Sequence, residues 1–356
     1  MTRWLLYGAY GYTGQLIIDE AKRRGHRPVL AGRNAAKLAT LGARHDLDWL
    51  ALDLDYADRL NKTVDRYDLV LHAAGPFIHT SDPMIRACLA GRTHYLDITG
   101  EIAVFENTFR YDAQAQARGV CLMSGVGFDI VPTDCLARYL VEQLPEATHL
   151  ETAVSSPSQL SSGTLKSALS MLDTSPTGSA VRRDGRLVQT RLGQVSRDVV
   201  FSNGRRRHVA SFPWGDLVTA YHTTGVPNIT CYLSFPRLPA KGVATRLGVG
   251  LLNRGPVRRL AETTVSRATG PDEETRRTAR SYLWACASDA SGRSREAWME
   301  TAETYYFTAL AAVRAVEKVL KLKPSGAHTP AGAFGADFAL ELEGTKRFDA
   351  LPVQAR

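Results

Sequence analysis

Short apolar runs alternate with amphipathic stretches over the first 145 residues. Trp4–Gly8 reads as a buried strand, and Thr13–Arg24 carries the 3.6-residue apolar period of a helix, stopped by Gly25. Further strands are predicted at Pro28–Gly32, Asp48–Leu54, Asp68–Ala74, His94–Ile98 and Val120–Ser124. Asp82 followed by Pro83 reads as a helix start, an N-cap with proline at the first helical position, closed by Gly91. Val104–Arg118 reads as another helix, closed by Gly119. Continuous apolar strands alternating with helices predict an α/β domain, a doubly wound parallel sheet covered on both faces.

The rhythm changes after residue 146. Thr148–Ser155 is predicted as a strand and Gly163–Leu172 as a helix. Five β-like segments follow, at Leu187–Arg191, Asp198–Phe201, His208–Phe212, Leu217–Tyr221 and Asn228–Phe235. Thr301–Leu320 is a long amphipathic helix and Phe338–Glu343 a last strand. The expected organisation is a first domain at residues 1–145, a second, α+β domain suited to the substrate or to dimerisation at 146–300, and a C-terminal helix and strand at 301–356.

A length of 356 residues with 44% hydrophobic and 22% charged side chains gives ample material for two buried cores. Disorder and a small disulfide scaffold are excluded. The five cysteines lack a C-x-x-C pair and read as buried small hydrophobes in a reducing compartment. The N-terminal apolar stretch is too short for a signal peptide and no run suits a membrane span. A cytoplasmic location follows as an expectation, with peripheral membrane attachment left open. Charge is uneven: residues 1–150 hold 16 basic and 18 acidic side chains, residues 151–356 hold 28 and 18. The excess of cations in the second part suits either an anionic partner or an arginine-rich surface.

The strongest chemical signal is Gly8-Ala9-Tyr10-Gly11-Tyr12-Thr13-Gly14, between the first strand and the first helix. Glycines at this spacing permit the turn, let a pyrophosphate approach the backbone, and let helix pack on strand. The second strand ends Gly32-Arg33-Asn34, where an acid would grip the ribose hydroxyls of NAD. Arg33 instead can hold a 2′-phosphate, with Asn34 and Lys37 assisting, so NADP(H) is the expected cofactor. Asp53 can meet the adenine amino group, or stand as an exposed strand-end acid. Ala74-Gly75-Pro76-Phe77, after the fourth strand, forms a loop suited to run beside the ribose and nicotinamide.

These motifs resemble the saccharopine dehydrogenase-like superfamily of NADP-binding oxidoreductases. Tyr95-Leu96-Asp97-Ile98-Thr99-Gly100-Glu101 and Gly127-Phe128-Asp129-Ile130-Val131-Pro132-Thr133-Asp134 are further similarities. Pro213-Trp214-Gly215-Asp216, Thr224-Gly225-Val226-Pro227-Asn228 and Thr329-Pro330-Ala331 resemble the branch that includes trans-acting enoyl reductases. The resemblance implies a Rossmann domain with an inserted α+β domain over the nicotinamide, and hydride transfer from NADPH to a polarised double bond. A conjugated C=C, free or carrier-bound, is the first expectation. Reduction of an imine, as in saccharopine dehydrogenases proper, and a non-catalytic NADP-binding or membrane-associated adaptor are the alternatives.

No tyrosine among the 13 has lysine four residues on, and no H-E-x-x-H or close His/Cys/Asp set suggests a metal site. The enolate left by hydride addition to C=C needs only water or a modest acid. Candidates for that proton, or for positioning, cluster where the fifth and sixth strands end: Tyr95, Asp97, Thr99, Glu101, Asp129 and Asp134. Each also suits a capping or loop-tying role. His222 and Lys166 are weaker candidates. Residues 241–267 set Lys241, Arg246, Arg254, Arg258, Arg259 and Arg267 against Glu262. Val243, Leu247 and Leu251 recur every four residues beside them. This segment suits an acidic carrier protein or an anionic membrane, or a core helix with a solvated basic edge. No nucleic-acid partner is expected, and a homodimer is left open.

Overall fold

The computed structural model describes residues 3–157, 161–163, 178–191, 193–234 and 270–352. Lys166, most of the helix expected at Gly163–Leu172 and the basic segment 241–267 lie outside the described residues. Contacts divide the chain into two compact units, Met1–Val131 with Tyr305–Glu343, and Pro132–Thr304 with Gly344–Arg356. The first division falls one helix before the expected boundary at 145, because Val131–Gln143 goes largely with the second unit.

The first unit runs β1 Trp4–Tyr7, α1 Tyr12–Arg23, β2 Val29–Gly32, α2 Ala35–His45, β3 Trp49–Ala51, α3 Ala57–Val64 and β4 Leu69–His72. It continues with α4 Phe77–Gly91, β5 His94–Asp97, α5 Ile102–Arg110, α6 Asp112–Arg118 and β6 Cys121–Met123. All pairings are parallel, in the order β6-β5-β4-β1-β2-β3, with the short strand Gly326–Ala327 beyond β6. β1, β2, β4, β5 and β6 are buried along their whole length, so they read in sequence as apolar runs. The order reverses between β4 and β1, which places a crevice at the carboxyl ends of those two strands.

The helix Thr304–Leu322 belongs to the first unit from Tyr305 onward. Its consecutive residues Ala309, Leu310, Ala311, Ala312 and Val313 are all buried, and the half-buried Arg314, Glu317 and Lys318 mark the polar side of the expected amphipathic helix. The segment expected as a strand at Phe338–Glu343 is instead a 3-10 helix, Phe338–Glu341. The last strand of the chain's described residues is Lys346–Phe348, and it pairs with Ser294–Ala302 in the second unit.

Two helix expectations in the first unit change. Asp82-Pro83 is not a start: α4 begins six residues earlier, with Pro76 as N-cap and Phe77 as first residue, and carries Pro83 in its interior. Val104–Arg118 breaks at Tyr111 into α5 and α6.

Among the described residues the second unit holds a nine-stranded mixed sheet. His149–Ser155 lies at its middle, parallel to Asn228–Ser234 and antiparallel to Arg280–Ser288. Leu217–Tyr221, expected as a strand from its β-branched residues, lies in the helix Asp216–Thr224. Gly225 ends that helix at φ 74°, its N–H donating to the Tyr221 carbonyl at 2.8 Å. The turn signals outweigh the strand propensity there. The long hairpin Arg280–Ser288/Ser294–Ala302 was absent from the sequence reading. Burial does alternate along Arg280–Ser288, but the half-buried face carries Tyr282 and Cys286 beside the buried Trp284, so the sequence there shows no polar–apolar alternation. Its usable signal is the turn: Asp289 accepts from the amides of Ser291 and Arg293, and Gly292 takes φ 87°.

Candidate active site

Every residue expected to hold the cofactor lies at the carboxyl edge of the first sheet. Gly8 takes φ 88°, and a Cβ there would stand 2.7 Å from the Ala73 carbonyl carbon. A Cβ on Gly14 would stand 2.4 Å from the Gly8 oxygen. Both glycines are therefore required by close backbone packing. At Gly11 the sole neighbour of such an atom is the Gly8 oxygen at 3.2 Å, so this position opens outward. Gly11 is the N-cap of α1, supplies no side-chain cap, and no acid stands in the helix's first turn. An anion can take that place against the amides and the positive end of the helix dipole. Tyr12 and Thr13 open the helix, and the Tyr12 ring meets that of Tyr305 edge-on at 5.0 Å.

Arg33 follows β2 directly and is exposed. The Tyr10 ring covers Gly32, where a Cβ would stand 2.6 Å from it, and Lys37 lies over the same ring at 5.6 Å. The Asn34 side chain accepts from the Lys37 amide at 3.0 Å as N-cap of α2, which leaves its NH₂ group to reach a ligand. Asp53 is half-buried and accepts from the Asp55 amide at 3.2 Å. Arg33, Lys37 and the α1 amides make a site whose charge suits a dinucleotide with an added phosphate.

The loop Ala73–Pro76 closes the other side of the crevice, with a cis bond between Gly75 and Pro76. Its Ala74 carbonyl accepts from Thr80 Oγ1 at 2.8 Å and faces His72 Nε2 at 3.2 Å. His72 was missed in the sequence, where a lone polar residue ending an apolar strand was the available signal. Burial pushes its pKa down to about 4, so the ring is neutral at pH 7 and the proton on Nε2 goes to that carbonyl. Beyond the loop, the Phe77 and Ile78 amides donate to the two oxygens of Glu101, at 3.0 and 2.8 Å.

The acidic candidates differ sharply in surroundings. Asp97 is fully buried and takes four donors: the Tyr95 hydroxyl, Ser124 Oγ, and the amides of Thr99 and Gly125, at 2.7 to 3.0 Å. Burial pushes its pKa up to about 6 against the pull of those bonds. Tyr95 is fully buried too, its phenol held well above the usual range. Thr99 Oγ1 accepts from the Glu101 amide at 3.0 Å, which links this cluster to the α4 start. Asp129 is partly exposed, in the loop after β6. Its carboxylate packs on Gly100, where a Cβ would stand 2.8 Å from Oδ2, and burial pushes its pKa up to about 6. The Phe128 amide donates to Thr308 Oγ1 at 3.0 Å, tying that loop to the helix Thr304–Leu322.

Asp134 and His222 belong to the second unit. Asp134 is buried and accepts from the Thr223 hydroxyl, while His222 is exposed on the helix Asp216–Thr224. Among the described residues no group of three His, Cys, Asp or Glu is placed to hold a metal ion, and no helix is long and apolar enough to cross a membrane.

A glycine-lined strand–helix turn beside a topological switch, with an arginine at the second strand's end, defines a dinucleotide-binding domain. Residues 4–123 match the family model described as the saccharopine dehydrogenase NADP binding domain. Residues 4–123 of the first unit are thus similar to the NADP-binding domain of that family. A trans-acting enoyl reductase of Mycobacterium leprae is 32% identical over 139 residues, 36% of this chain and 33% of its own length. A saccharopine dehydrogenase-like oxidoreductase of Bos taurus is 27% identical over 150 residues, 36% of this chain and 35% of its own. The matched stretch reaches 46% of the length of a Mycobacterium tuberculosis relative, so the chain spans about half or less of the curated relatives it matches. The fold as a whole is that of apo saccharopine dehydrogenase (L-Glu forming) from Saccharomyces cerevisiae. The TM-score is 0.62 at 12% identity, covering 98% of this chain and 100% of that one.

Proposed function

We propose that the chain is an NADPH-dependent oxidoreductase that delivers hydride to a polarised double bond, a conjugated C=C of an enoyl thioester in the first place. The observation that carries this reading is Asp129. It is a half-buried residue in the loop after β6, at the same sheet edge as the expected NADP site, and burial of its carboxyl pushes the pKa up to about 6. The enoyl reductase name of the mycobacterial relative supports C=C as the substrate bond.

When bound, NADPH supplies the hydride. The chain's residues do the rest. Gly8, Gly11 and Gly14 would keep the backbone low under its pyrophosphate, and Arg33 with Lys37 would neutralise its 2′-phosphate. Addition of hydride to the β-carbon of the enoyl group leaves an enolate. Asp129 in its acid form gives the α-carbon its proton and is reprotonated from water. Asp97 and Glu101, whose oxygens are taken by backbone amides and hydroxyls, keep the surrounding loops in register.

The reading is tested with a short 2-enoyl thioester and a cyclic imine, each followed by NADPH oxidation. Turnover of the thioester with little or none of the imine is expected. Turnover of the imine alone would replace C=C by C=N as the reacting bond, and binding of NADPH without turnover of either would make the chain an adaptor.

A further inference from the structure

We propose that Glu101 is a positioning residue that sets the nicotinamide end of the cofactor site by clamping the start of α4. The inference rests on the NADPH reading above and adds a residue whose effect is separable from it.

Pro76, the N-cap of α4, makes no side-chain cap, and the first turn of α4 contains no acid. Its first amides therefore need an acceptor from elsewhere. Glu101, 24 residues away, supplies one from the β5 side, with one oxygen on Phe77 N–H and the other on Ile78 N–H. Glu101 is only 4% exposed, so these charge-assisted bonds form away from competing water. Glu101 is fixed in turn: its amide donates to Thr99 Oγ1, and the Thr99 amide donates to Asp97.

The clamp reaches the crevice through the loop it ends. Ala74 O is held from the opposite direction by His72 and Thr80, and Thr80 Oγ1 also lies 3.2 Å from Pro76 O. Ala73 packs so closely on Gly8 that a methyl group has no room there. The loop between these anchors stays partly open to solvent: Gly75 is exposed, and Ala73, Ala74 and Pro76 are half-buried. It stands on the β4 side of the switch point, away from Arg33 on the β2 side. A dinucleotide spanning the switch point has its 2′-phosphate end at Arg33 and its nicotinamide end at this loop. Loosening the clamp should therefore weaken one half of the cofactor and spare the other.

The experiment compares the unaltered chain with Glu101→Gln and Thr80→Val. It uses calorimetric titration with NADPH and with adenosine 2′,5′-bisphosphate, a fragment that has the 2′-phosphate but no nicotinamide. In Glu101→Gln an NH₂ group faces a backbone N–H, so NADPH affinity should fall about tenfold. Affinity for the fragment should stay within about twofold, since its contacts are untouched. Thr80→Val, which keeps the side chain's shape, should show the same pattern at about threefold, and it decides the matter if the glutamine variant does not fold. Equal losses for NADPH and the fragment, or no loss for either in both variants, would overturn the clamp while leaving the NADPH reading intact. Failure of the unaltered chain to bind either ligand would overturn both.

Discussion

Asp129→Asn is expected to lower kcat for enoyl reduction by about 10²–10⁴-fold, the usual contribution of a positioned general acid, with NADPH affinity unchanged. The pH dependence identifies the group. Burial raises the Asp129 carboxyl to about 6, so its donor form is present below that pH and is lost as pH rises through it. In the unaltered chain kcat should therefore fall about tenfold per pH unit above about 6, and in Asp129→Asn the residual rate should be flat across that range. Asp97 titrates near the same pH but is walled in by four donors. A falling limb that survives in Asp129→Asn would move the proton to Asp97 or to another group.

The second large effect concerns the cofactor. Arg33→Ala should weaken NADPH binding about tenfold to hundredfold and leave NADH within about twofold, because only NADPH carries the phosphate that the guanidinium can grip in two places. The arginine is exposed, so raising the ionic strength should narrow the NADPH preference of the unaltered chain. Titration of both cofactors against both chains checks this. Equal losses for NADPH and NADH would mean that Arg33 does not read the 2′-phosphate.

Much of the first unit was legible in the sequence for a simple reason. Its parallel strands are buried on both faces, and so appear as unbroken apolar runs such as Trp4-Leu5-Leu6-Tyr7. Gly8, Gly11 and Gly14 were legible because backbone packing excludes any side chain at two of these positions. What stayed hidden depends on partners far along the chain. The start of α4 could not be placed because its cap, Glu101, arrives from beyond β5, and Asp82-Pro83 offered a convincing local substitute.

The chemistry of the site shows the same division. Tyr95, Asp97, Glu101 and Asp129 are all near the expected edge, but their sequence contexts do not tell which carboxyl takes backbone amides from distant loops. That distinction comes from packing: Asp97 and Glu101 are buried under such donors, whereas the Asp129 carboxyl lies against Gly100 on a half-buried residue. In the second unit the hairpin Arg280–Ser288/Ser294–Ala302 is not legible because the half-buried face of its first strand carries Tyr282, Trp284 and Cys286, which hides the alternation of burial. The helix Asp216–Thr224 was misread because threonines and a valine mimic a strand.

Hydride transfer to carbon is tested most directly with NADPH carrying deuterium at the transferable position of the nicotinamide, incubated with the chain and a 2-enoyl thioester. One deuterium at the β-carbon of the saturated product, for each NADPH oxidised, is the expected result, with the α-carbon hydrogen coming from water. Saturated product without deuterium at the β-carbon, or NADPH bound and never oxidised in the presence of an unsaturated substrate, would contradict a hydride-transferring reductase.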